Sequence, residues 1–187
     1  LMALVLPRSG DLTAGIAFSC DPRSGREDRF FIAANDGYGE TVVGGHADPD
    51  EFVVEVGSHS PRPFVAERRL GRKECRSSLA EDGGTEQKSV APVPNRPTLD
   101  DAQLLRLARL IQRVAWALGH GEQHQDIEWA FDGEDFHVLQ ARPVTTRPRY
   151  TYPALIAQPE VWSNGNFRDS LPMAQSALIW TLEAHPI

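Results

Sequence analysis

The most informative part of this sequence is the stretch QDIEWAF at residues 125–131, followed after a glycine-containing turn by FHVLQAR at residues 136–142. In both halves polar and apolar side chains alternate, and successive side chains of a β-strand point to opposite faces of its sheet. The stretch therefore predicts an antiparallel hairpin, with one apolar face that packs on a core and one polar face.

The length of the turn determines which polar residues of the two strands face each other. A three-residue turn at residues 133–135 places Asp126 opposite Arg142. It also places Glu128 opposite Gln140, on the same face. Side chains opposite each other in an antiparallel pair lie close enough to interact. This register therefore collects two carboxylates, one amide oxygen and one guanidinium on a single face of the hairpin.

The apolar residues favour the same register. It pairs Ile127 with Ala141 on the other face of the hairpin, and it also pairs Trp129 with Leu139 there. A turn of two or four residues shifts the pairing by one residue and places Leu139 among the carboxylates. In the favoured register Trp129 lies in the core, as does Phe131, rather than stacking on an adenine.

The polar face offers the ligand types that magnesium-nucleotide chemistry needs. Mg²⁺ prefers oxygen ligands, often one or two carboxylates completed by substrate phosphates and water, and Glu128 and Gln140 offer such oxygens. The guanidinium of Arg142 can bind phosphate oxygens through two parallel hydrogen bonds. Asp126 either holds Arg142 in place or supports the metal site from behind. A solvated strand face with cross-strand ion pairs has the same pattern, so both interpretations remain open from the pattern alone.

Elsewhere the sequence predicts an α+β fold with a mainly antiparallel sheet. The predicted strands are residues 2–6, 14–19, 30–34, 52–56 and 64–67. Residues 76–97 are rich in Ser, Gly and Pro and poor in large apolar residues, which indicates a loop with at most one short strand. The first domain is predicted to cover residues 1–146, and residues 147–187 are predicted to be a linker and the start of a following segment.

One long helix is predicted over residues 99–118, where apolar side chains recur at the three- and four-residue spacing of one helix face. Thr98 is the predicted N-cap, and Gly119 is predicted to end the helix. The apolar face consists of Leu104, Leu107, Ala108, Ile111, Val114, Ala115 and Leu118. We expect this face to pack against the sheet.

The composition is that of an acidic globular protein. Of the 187 residues 41% are hydrophobic, and the net charge of −7 with a pI of about 5.3 argues against binding to a nucleic-acid backbone. No apolar run is long enough to span a membrane. Cys20 and Cys75 lack the spacing of a disulfide framework or a metal site, which favours free thiols in a reducing cytoplasm. The chain begins at Leu1 rather than at a methionine, as expected of a fragment or of a trimmed chain.

The stretch GYGETVVGG at residues 37–45, which we call the glycine-rich segment, is a second candidate for ligand contact. Its backbone N–H groups could bind an anion, with Glu40 contacting a ribose or a metal, but the glycines could equally serve the geometry of a loop. A glycine-containing loop separates His120 from His124, and both are expected to be solvent-exposed rather than metal ligands. Lys73 is expected to be a solvated charge.

Three stretches together resemble a known family. QDIEWA at residues 125–130 with LQARPVTT at residues 139–146 is similar to the end of the ATP-grasp domain of phosphoenolpyruvate synthase, pyruvate phosphate dikinase and rifampin phosphotransferase. The glycine-rich segment, followed by PDEF at residues 49–52, resembles a glycine-rich loop and strand of that domain. AGIAFS at residues 14–19 is the third similarity. The stretches occur in the order of the family and the similarity covers residues 1–146.

The resemblance implies that the chain is the C-terminal subdomain of an ATP-grasp fold, which binds ATP and Mg²⁺ within a larger phosphotransferase. In such enzymes the phosphoryl group passes to a histidine on a separate swivelling domain, and from there to pyruvate or to an antibiotic hydroxyl. Carried over by position, Glu128 and Gln140 are the magnesium ligands and Arg142 is the catalytic clamp on the transferred phosphate. Asp126 supports this site.

The chain also departs from the family. The phosphate-binding lysine and the Arg-Ser-Ser motif of the family lie upstream of the segment seen here, and RSS at residues 76–78 lies too late in the order to replace that motif. Ala3 stands where the adenine-binding hinge commonly has a glutamine. The chain alone is therefore expected to be incomplete and inactive, and to need an upstream subdomain and a histidine domain. The alternatives are a non-catalytic nucleotide-binding module, an inactive gene fragment or, within the family, an antibiotic phosphotransferase.

Overall fold

The computed structural model describes residues 12–45, 47–56, 62–79, 85–91, 95–120, 123–145 and 148. Within these ranges the elements are β1 Thr13–Phe18, β2 Arg29–Asp36, α1 Glu40–Val43, β3 Asp50–Glu55, β4 Phe64–Arg69, β5 Cys75–Leu79, β6 Thr85–Ser89, α2 Asp101–Gly119, β7 Gln125–Phe131 and β8 Phe136–Pro143. The strand predicted at residues 2–6 and, apart from Pro148, the segment predicted at residues 147–187 lie outside the described residues.

Six strands form one sheet in the order β4-β3-β2-β1-β7-β8, and all its neighbouring pairs are antiparallel. Strands β1 to β4 correspond to the predictions at residues 14–19, 30–34, 52–56 and 64–67, with ends that differ by at most two residues. Strand β7 pairs with β1, so the first hairpin, β1 and β2, and the last, β7 and β8, lie side by side in the sheet. The α+β class and the mainly antiparallel sheet are confirmed.

One face of this sheet, which we call the inner face, packs against α2. Alternate strand residues point to it, and the helix contributes side chains at the predicted spacing. The buried cluster between them consists of Ala17, Phe30, Ile32, Ala34, Phe52, Val54, Leu99, Leu104, Leu107, Ala108, Ile111, Ile127, Trp129 and Phe131. Trp129 and Phe131 therefore lie in the core, as predicted. The opposite, outer face carries the polar residues of β7 and β8.

Helix α2 begins close to the predicted position, but its N-cap is Asp100 and not Thr98. The Asp100 side chain accepts a hydrogen bond from the backbone N–H of Gln103, and the Gln103 side chain accepts one from the N–H of Asp100, each at 2.8 Å. This reciprocal pair is a capping box. Leu99, just before the cap, is buried in the same cluster as Leu104, which is the arrangement of a hydrophobic staple.

The predicted apolar face of α2 extends one turn too far. Val114 is the last helix residue packed against the core cluster, and Leu118, one turn later, is 55% exposed. The helix ends at Gly119, and His120 adopts a left-handed conformation with φ of 51°. The prediction that Leu118 packs against the sheet is therefore wrong. Periodicity identifies which side of a helix is apolar, but not how far along the helix the sheet extends beneath it.

Strands β5 and β6 form a separate two-stranded sheet, which we call the small hairpin and which corrects the prediction of a loop over residues 76–97. Its strands, CRSSL and TEQKS, are mostly polar and lack an alternation of apolar residues. The signal of a half-buried strand is therefore missing from the sequence. The small hairpin contacts the glycine-rich segment through a parallel bridge between Gly37 and Ser77.

Lys73, predicted to be a solvated charge, is 5% exposed and forms a buried ion pair with Asp50. Its Nζ atom donates to both carboxylate oxygens, at 3.0 and 2.9 Å, and to the backbone oxygen of Arg96. Asp50 also accepts the backbone N–H groups of Gly71 and Thr98, at 2.9 and 2.8 Å. A buried charge is tolerated when it is paired and hydrogen-bonded, and this partner lies 23 residues away in sequence.

Two further findings bear on the expectations from composition. No helix in the described part of the chain is both long and apolar enough to cross a membrane. Cys20 is buried and Cys75 partly buried, and both are thiols rather than halves of a disulfide. This state agrees with the absence of a disulfide spacing in the sequence.

Candidate functional site

The candidate site lies on the outer face of the hairpin formed by β7 and β8, which we call the site hairpin. The register pairs Asp126 with Arg142, as predicted. It also pairs Glu128 with Gln140, again as predicted. On its other side β7 pairs with β1, where Ile16 lies opposite Glu128. Because ladder hydrogen bonds hold β7 from both sides, the backbone beneath these polar residues is fixed.

This register arises from a turn and a bulge instead of the predicted three-residue turn. The turn comprises residues 132–135, and the pairing shifts by one residue between Glu128 and Trp129. Trp129 pairs with Val138, so Leu139 is the additional residue of a β-bulge. The predicted pair of Trp129 with Leu139 is wrong. Leu139 is 43% exposed. A four-residue turn was expected to place Leu139 on the polar face in this way.

The side chain of Asp132 holds this turn. Its Oδ1 atom accepts the N–H groups of Glu134 and Asp135, at 2.9 and 2.7 Å. Its Oδ2 atom lies 2.8 Å from Nε2 of His137, and Gly133 adopts a φ of +100°, which glycine tolerates. The N–H of Asp135 first, and then the His137 ring and the N–H of Glu134, hold the pKa of the Asp132 carboxyl well below its usual range.

Arg142 is bound to Asp126 across the two strands. Its Nε and Nη2 atoms lie 2.9 and 2.8 Å from Oδ2 of Asp126. The Asp126 side chain is mostly buried, whereas that of Arg142 is 66% exposed. The carboxylate thus anchors the guanidinium and leaves its Nη1 atom without a partner among the described residues. Of the two roles that the sequence left open for Asp126, contact with Arg142 is the one present in the structure.

Glu128 is half-buried and Gln140 is exposed, and within the described part of the chain neither side chain forms a hydrogen bond or an ion pair. Their oxygens are therefore accessible to a cation. In the described ranges no group of three or more His, Cys, Asp and Glu side chains is gathered as a metal site. A Mg²⁺ ion held through one or two protein oxygens, phosphates and water does not need such a group, and this pair of donors fits that coordination.

A cleft of about 490 Å³ lies between the site hairpin and the glycine-rich segment. Its volume falls in the range of small-molecule sites. The lining residues include Tyr38, Gly39, Glu40, Gly44, Glu128 and Leu139. Glu40 and Glu128, both predicted site residues, thus border one cleft. The other three predicted residues, Asp126, Gln140 and Arg142, lie on the same hairpin face but outside the described lining.

The glycine-rich segment is partly helical, because it contains α1. Gly37 has a φ of +93°, and a Cβ atom there would lie 2.3 Å from the backbone oxygen of Ser77, so the geometry of the chain requires this glycine. Gly39 has an ordinary φ of −64° and lines the cleft. Glu40 accepts a hydrogen bond from Thr85 of β6 at 2.6 Å. Gly37 therefore serves the loop, while Gly39 and Glu40 face the space available to a ligand.

His124 is not the solvent-exposed loop residue that the sequence suggested. Its side chain is 19% exposed, and Nδ1 lies 2.7 Å from the backbone oxygen of Ser19 and 3.3 Å from its Oγ. The same Oγ accepts the N–H of Gln125 at 2.8 Å. His124 therefore joins the end of β1 to the start of β7. His120 is exposed, as predicted.

Asn35 and Thr41 lie beside the glycine-rich segment, and sequence reasoning missed both. Nδ2 of Asn35 donates to Oγ1 of Thr41 at 3.0 Å, and both residues are buried. A single amide near the end of the otherwise apolar run FFIAAN in β2 was the signal that could have identified Asn35, because a buried polar side chain needs a partner. Thr41 carried no comparable signal.

The sequence pattern of the family described as pyruvate phosphate dikinase, AMP/ATP-binding domain, matches residues 1–158. The class of this protein is therefore that of the ATP-binding domains of phosphotransferases. More specifically, the chain belongs to the pyruvate phosphate dikinase AMP/ATP-binding domain family, which confirms the resemblance found in the sequence.

Curated relatives agree with this membership. A rifampicin phosphotransferase from Streptomyces sviceus is 38% identical over 134 residues, which are 71% of this chain and 14% of that protein. A phosphoenolpyruvate synthase from Deinococcus radiodurans is 36% identical over 140 residues, 73% of this chain and 18% of that protein. One from Pseudomonas aeruginosa is 36% identical over 154 residues, 76% of this chain and 19% of that protein. The chain thus spans less than a fifth of the length of each.

Proposed function

We propose that the chain binds Mg-ATP at the cleft between the glycine-rich segment and the site hairpin and takes part in phosphoryl transfer. The observation that supports this most is the register of the site hairpin, which pairs Asp126 with Arg142 two residues from the pair of Glu128 with Gln140. Phosphoryl transfer is catalysed mainly by positioning and by neutralising charge. An oxygen pair suited to a metal, next to a guanidinium suited to a phosphate, can do both.

In this proposal Glu128 and Gln140 hold Mg²⁺ through their side-chain oxygens, and a magnesium ion so held neutralises charge on the ATP phosphates. Both side chains come from neighbouring strands of a packed sheet, so their separation is set by the ladder rather than by a mobile loop. Glu40 contacts the ribose or the metal from the opposite wall of the cleft.

Arg142 clamps the transferred phosphate in this proposal. Asp126 already holds its Nε and Nη2 atoms, so the guanidinium loses little further side-chain freedom when it meets a ligand. The unengaged Nη1 atom then donates to phosphate oxygens, with charge-assisted hydrogen bonds that are stronger than neutral ones. Substitution of Asp126 would accordingly weaken phosphate binding without removing the arginine.

We further propose that the chain is the C-terminal subdomain of an ATP-grasp fold and that it works as part of a larger phosphotransferase. An upstream subdomain would complete the nucleotide site, and the phosphoryl group would pass to a histidine on a separate domain. The relatives support this proposal, because one is named a rifampicin phosphotransferase and two are named phosphoenolpyruvate synthases, and the chain matches only 14% to 19% of their length. By itself the chain would bind nucleotide weakly and catalyse no complete reaction.

A calorimetric titration with Mg-ATP tests the site. The wild-type chain is compared with Glu128→Ala and Gln140→Ala, and with Gln112→Ala on the exposed side of α2 as a matched control. We expect each site substitution to weaken binding about tenfold, or roughly 1.4 kcal/mol, and the control to leave it unchanged. Omitting Mg²⁺ should remove the difference between wild type and both site variants.

Binding that is indifferent to Glu128→Ala and Gln140→Ala would contradict the site assignment. If the wild-type chain binds no Mg-ATP, the half-domain alone does not form the site, and the same variants are then compared for activity in the longer protein that carries this segment. Full activity of Glu128→Ala in that protein would refute the proposed role of the site hairpin.

A further inference from the structure

Helix α1 of the glycine-rich segment cannot hold its own position. It is a single turn of four residues, and its N-cap, Gly39, has no side chain to cap it. Isolated helices of this length are not stable in water, so contacts with the rest of the fold must place the backbone of Gly39 and Glu40 at the cleft. Val42 supplies an apolar contact, since it packs with Phe31 and other residues of the outer face.

A buried polar contact that holds α1 comes from Asn35 in β2. This side chain is 1% exposed, and its Nδ2 atom donates to Oγ1 of Thr41 at 3.0 Å and to the backbone oxygen of Cys75 at 2.8 Å. A backbone oxygen can only accept, which fixes the orientation of the amide. Asn35 therefore uses both N–H bonds to join three elements: β2 beneath it, α1, and the start of the small hairpin at β5.

Thr41 passes this constraint on to the cleft. It is fully buried, and its hydroxyl accepts from Asn35 and lies 3.5 Å from the backbone oxygen of Tyr38, to which it donates. Tyr38 and Glu40, the residues on either side of Gly39, both line the cleft. A change in the Asn35–Thr41 contact would therefore move the backbone on both sides of Gly39.

We propose that Asn35 is a positioning residue for the nucleotide site: through Thr41 it fixes the wall of the cleft formed by the glycine-rich segment. The role of the cleft rests on the proposed function, but the contacts themselves do not. Asn35 is not among the residues that line the cleft, and it contributes no charge. Its effect on a ligand comes from keeping the backbone of residues 38–40 in one place.

The contact between Thr85 and Glu40 is a weaker constraint on the same wall. Both residues are exposed, so water can replace the hydrogen bond when it breaks. The amide of Asn35 is shielded from water, and its loss leaves the buried hydroxyl of Thr41 and the partly buried backbone oxygen of Cys75 without this donor. Such a loss costs more than that of an exposed bond. Substitution of Asn35 should therefore disturb the glycine-rich segment more than substitution of Thr85.

The test uses the chain with Asn35→Ala, Thr41→Val, the double variant, and Thr41→Ser as a control that keeps the hydroxyl. Two readouts are taken for each protein: amide hydrogen exchange across the fold, and the affinity for Mg-ATP by titration. We expect exchange in residues 38–44 to become about fivefold faster in Asn35→Ala and in Thr41→Val, from the typical strength of one hydrogen bond. The amides of β2, β3 and β7 should keep their protection.

Affinity for Mg-ATP should fall about fivefold in Asn35→Ala and in Thr41→Val, and stay within about twofold of wild type in Thr41→Ser. The double variant should lose less affinity than the two single effects combined, because the contact between Asn35 and Thr41 is lost in each single variant. Thr85→Val should have a smaller effect than either.

Each result decides the proposal. Exchange that is unchanged in residues 38–44, or that rises equally in the whole sheet, overturns it, since Asn35 would then either do nothing or only stabilise the fold. Wild-type affinity in Asn35→Ala also overturns it. If the wild-type chain binds no Mg-ATP, the chain alone does not form the nucleotide site, and hydrogen exchange decides whether Asn35 positions the segment.

Discussion

The site hairpin and the small hairpin are both antiparallel pairs, yet only the first was recognisable in the sequence. In the site hairpin, apolar residues at alternate positions pack under α2, and polar residues face outward. The small hairpin joins two strands of mostly polar residues that pair with each other and with Gly37. The difference teaches that alternation reports burial of one face, and not the presence of a strand.

The two hairpins also depend on different interactions. The site hairpin is held by the hydrophobic core and by ladder bonds on both sides of β7. The small hairpin is held by its own ladder and by hydrogen bonds to the glycine-rich segment, such as that from the N–H of Tyr38 to the oxygen of Ser77 at 3.2 Å. Substitutions in the two hairpins should therefore affect stability by very different amounts.

The largest expected effect is that of Trp129→Ala in the site hairpin. Trp129 is completely buried in the main cluster, and truncation of a buried aromatic side chain costs about 3–5 kcal/mol. Lys88→Ala in the small hairpin removes an exposed side chain and should change stability by less than about 0.5 kcal/mol. Urea denaturation of both variants measures this difference in the free energy of unfolding. Similar losses of stability in the two variants would show that the hairpins are not held by different interactions.

A smaller effect is expected at the junction between the small hairpin and the sheet. Gly37→Ala combines a left-handed backbone with a Cβ atom 2.3 Å from the oxygen of Ser77, and such strain costs about 2–3 kcal/mol. Gly45→Ala is the matched control, because Gly45 also has a positive φ, +67°, but a Cβ atom there meets nothing within 4 Å. It should cost about 1 kcal/mol.

Thermal or urea unfolding of the two glycine variants separates the cost of a positive φ, which both share, from the cost of the steric clash with Ser77, which only Gly37→Ala has. Equal destabilisation would mean that the small hairpin moves away at no cost and does not support the glycine-rich segment. Faster hydrogen exchange confined to the small hairpin in Gly37→Ala would locate the effect at the junction.

The smallest effect is expected from charge in the turn of the site hairpin. The pKa of Asp132 is lowered by the N–H of Asp135 and by the other donors of the turn. Its ionised form therefore stabilises the fold above the unfolded-state pKa of about 4. As the pH falls below about 4, the unfolded chain binds a proton before the folded chain does, so this stabilisation is lost.

Asp132→Asn removes the charge but keeps an acceptor oxygen for the turn. We expect the variant to be less stable than wild type at neutral pH, with the difference shrinking as the pH falls below about 4. Urea midpoints across that range provide the measurement. A difference that stays constant with pH would show that the charge of Asp132 does not contribute to the turn.

Local patterns in the sequence predicted much of this molecule. Strands β1 to β4, β7 and β8 were all predicted, the last two from alternation, and helical spacing placed α2 within two residues at each end. The pairs of Asp126 with Arg142 and of Glu128 with Gln140 were also predicted, although the turn was thought to be one residue shorter. The bulge at Leu139 compensates for that extra residue, so the predicted pairs are present for a reason that the pattern did not contain.

The features that the sequence did not reveal depend on residues far apart in the chain. Lys73 is buried because Asp50 is there to pair with it. The buried amide of Asn35 is accommodated because Cys75, 40 residues later, presents a backbone oxygen. No spacing rule connects such partners. A polar residue in an apolar run shows only that a partner is needed, and the fold determines which partner that is.

The coupling between the four-residue turn and the bulge has a consequence for how this segment can change in length. Without Leu139 the pair of Trp129 with Val138 and the pair of Glu128 with Gln140 become consecutive, so loss of the bulge would leave an unbroken ladder with every pair kept. Loss of Ala141 instead would place Arg142 opposite Ile127, on the inner face of the sheet. Deletion of Leu139 should therefore be tolerated, whereas deletion of Ala141 should disrupt the candidate site.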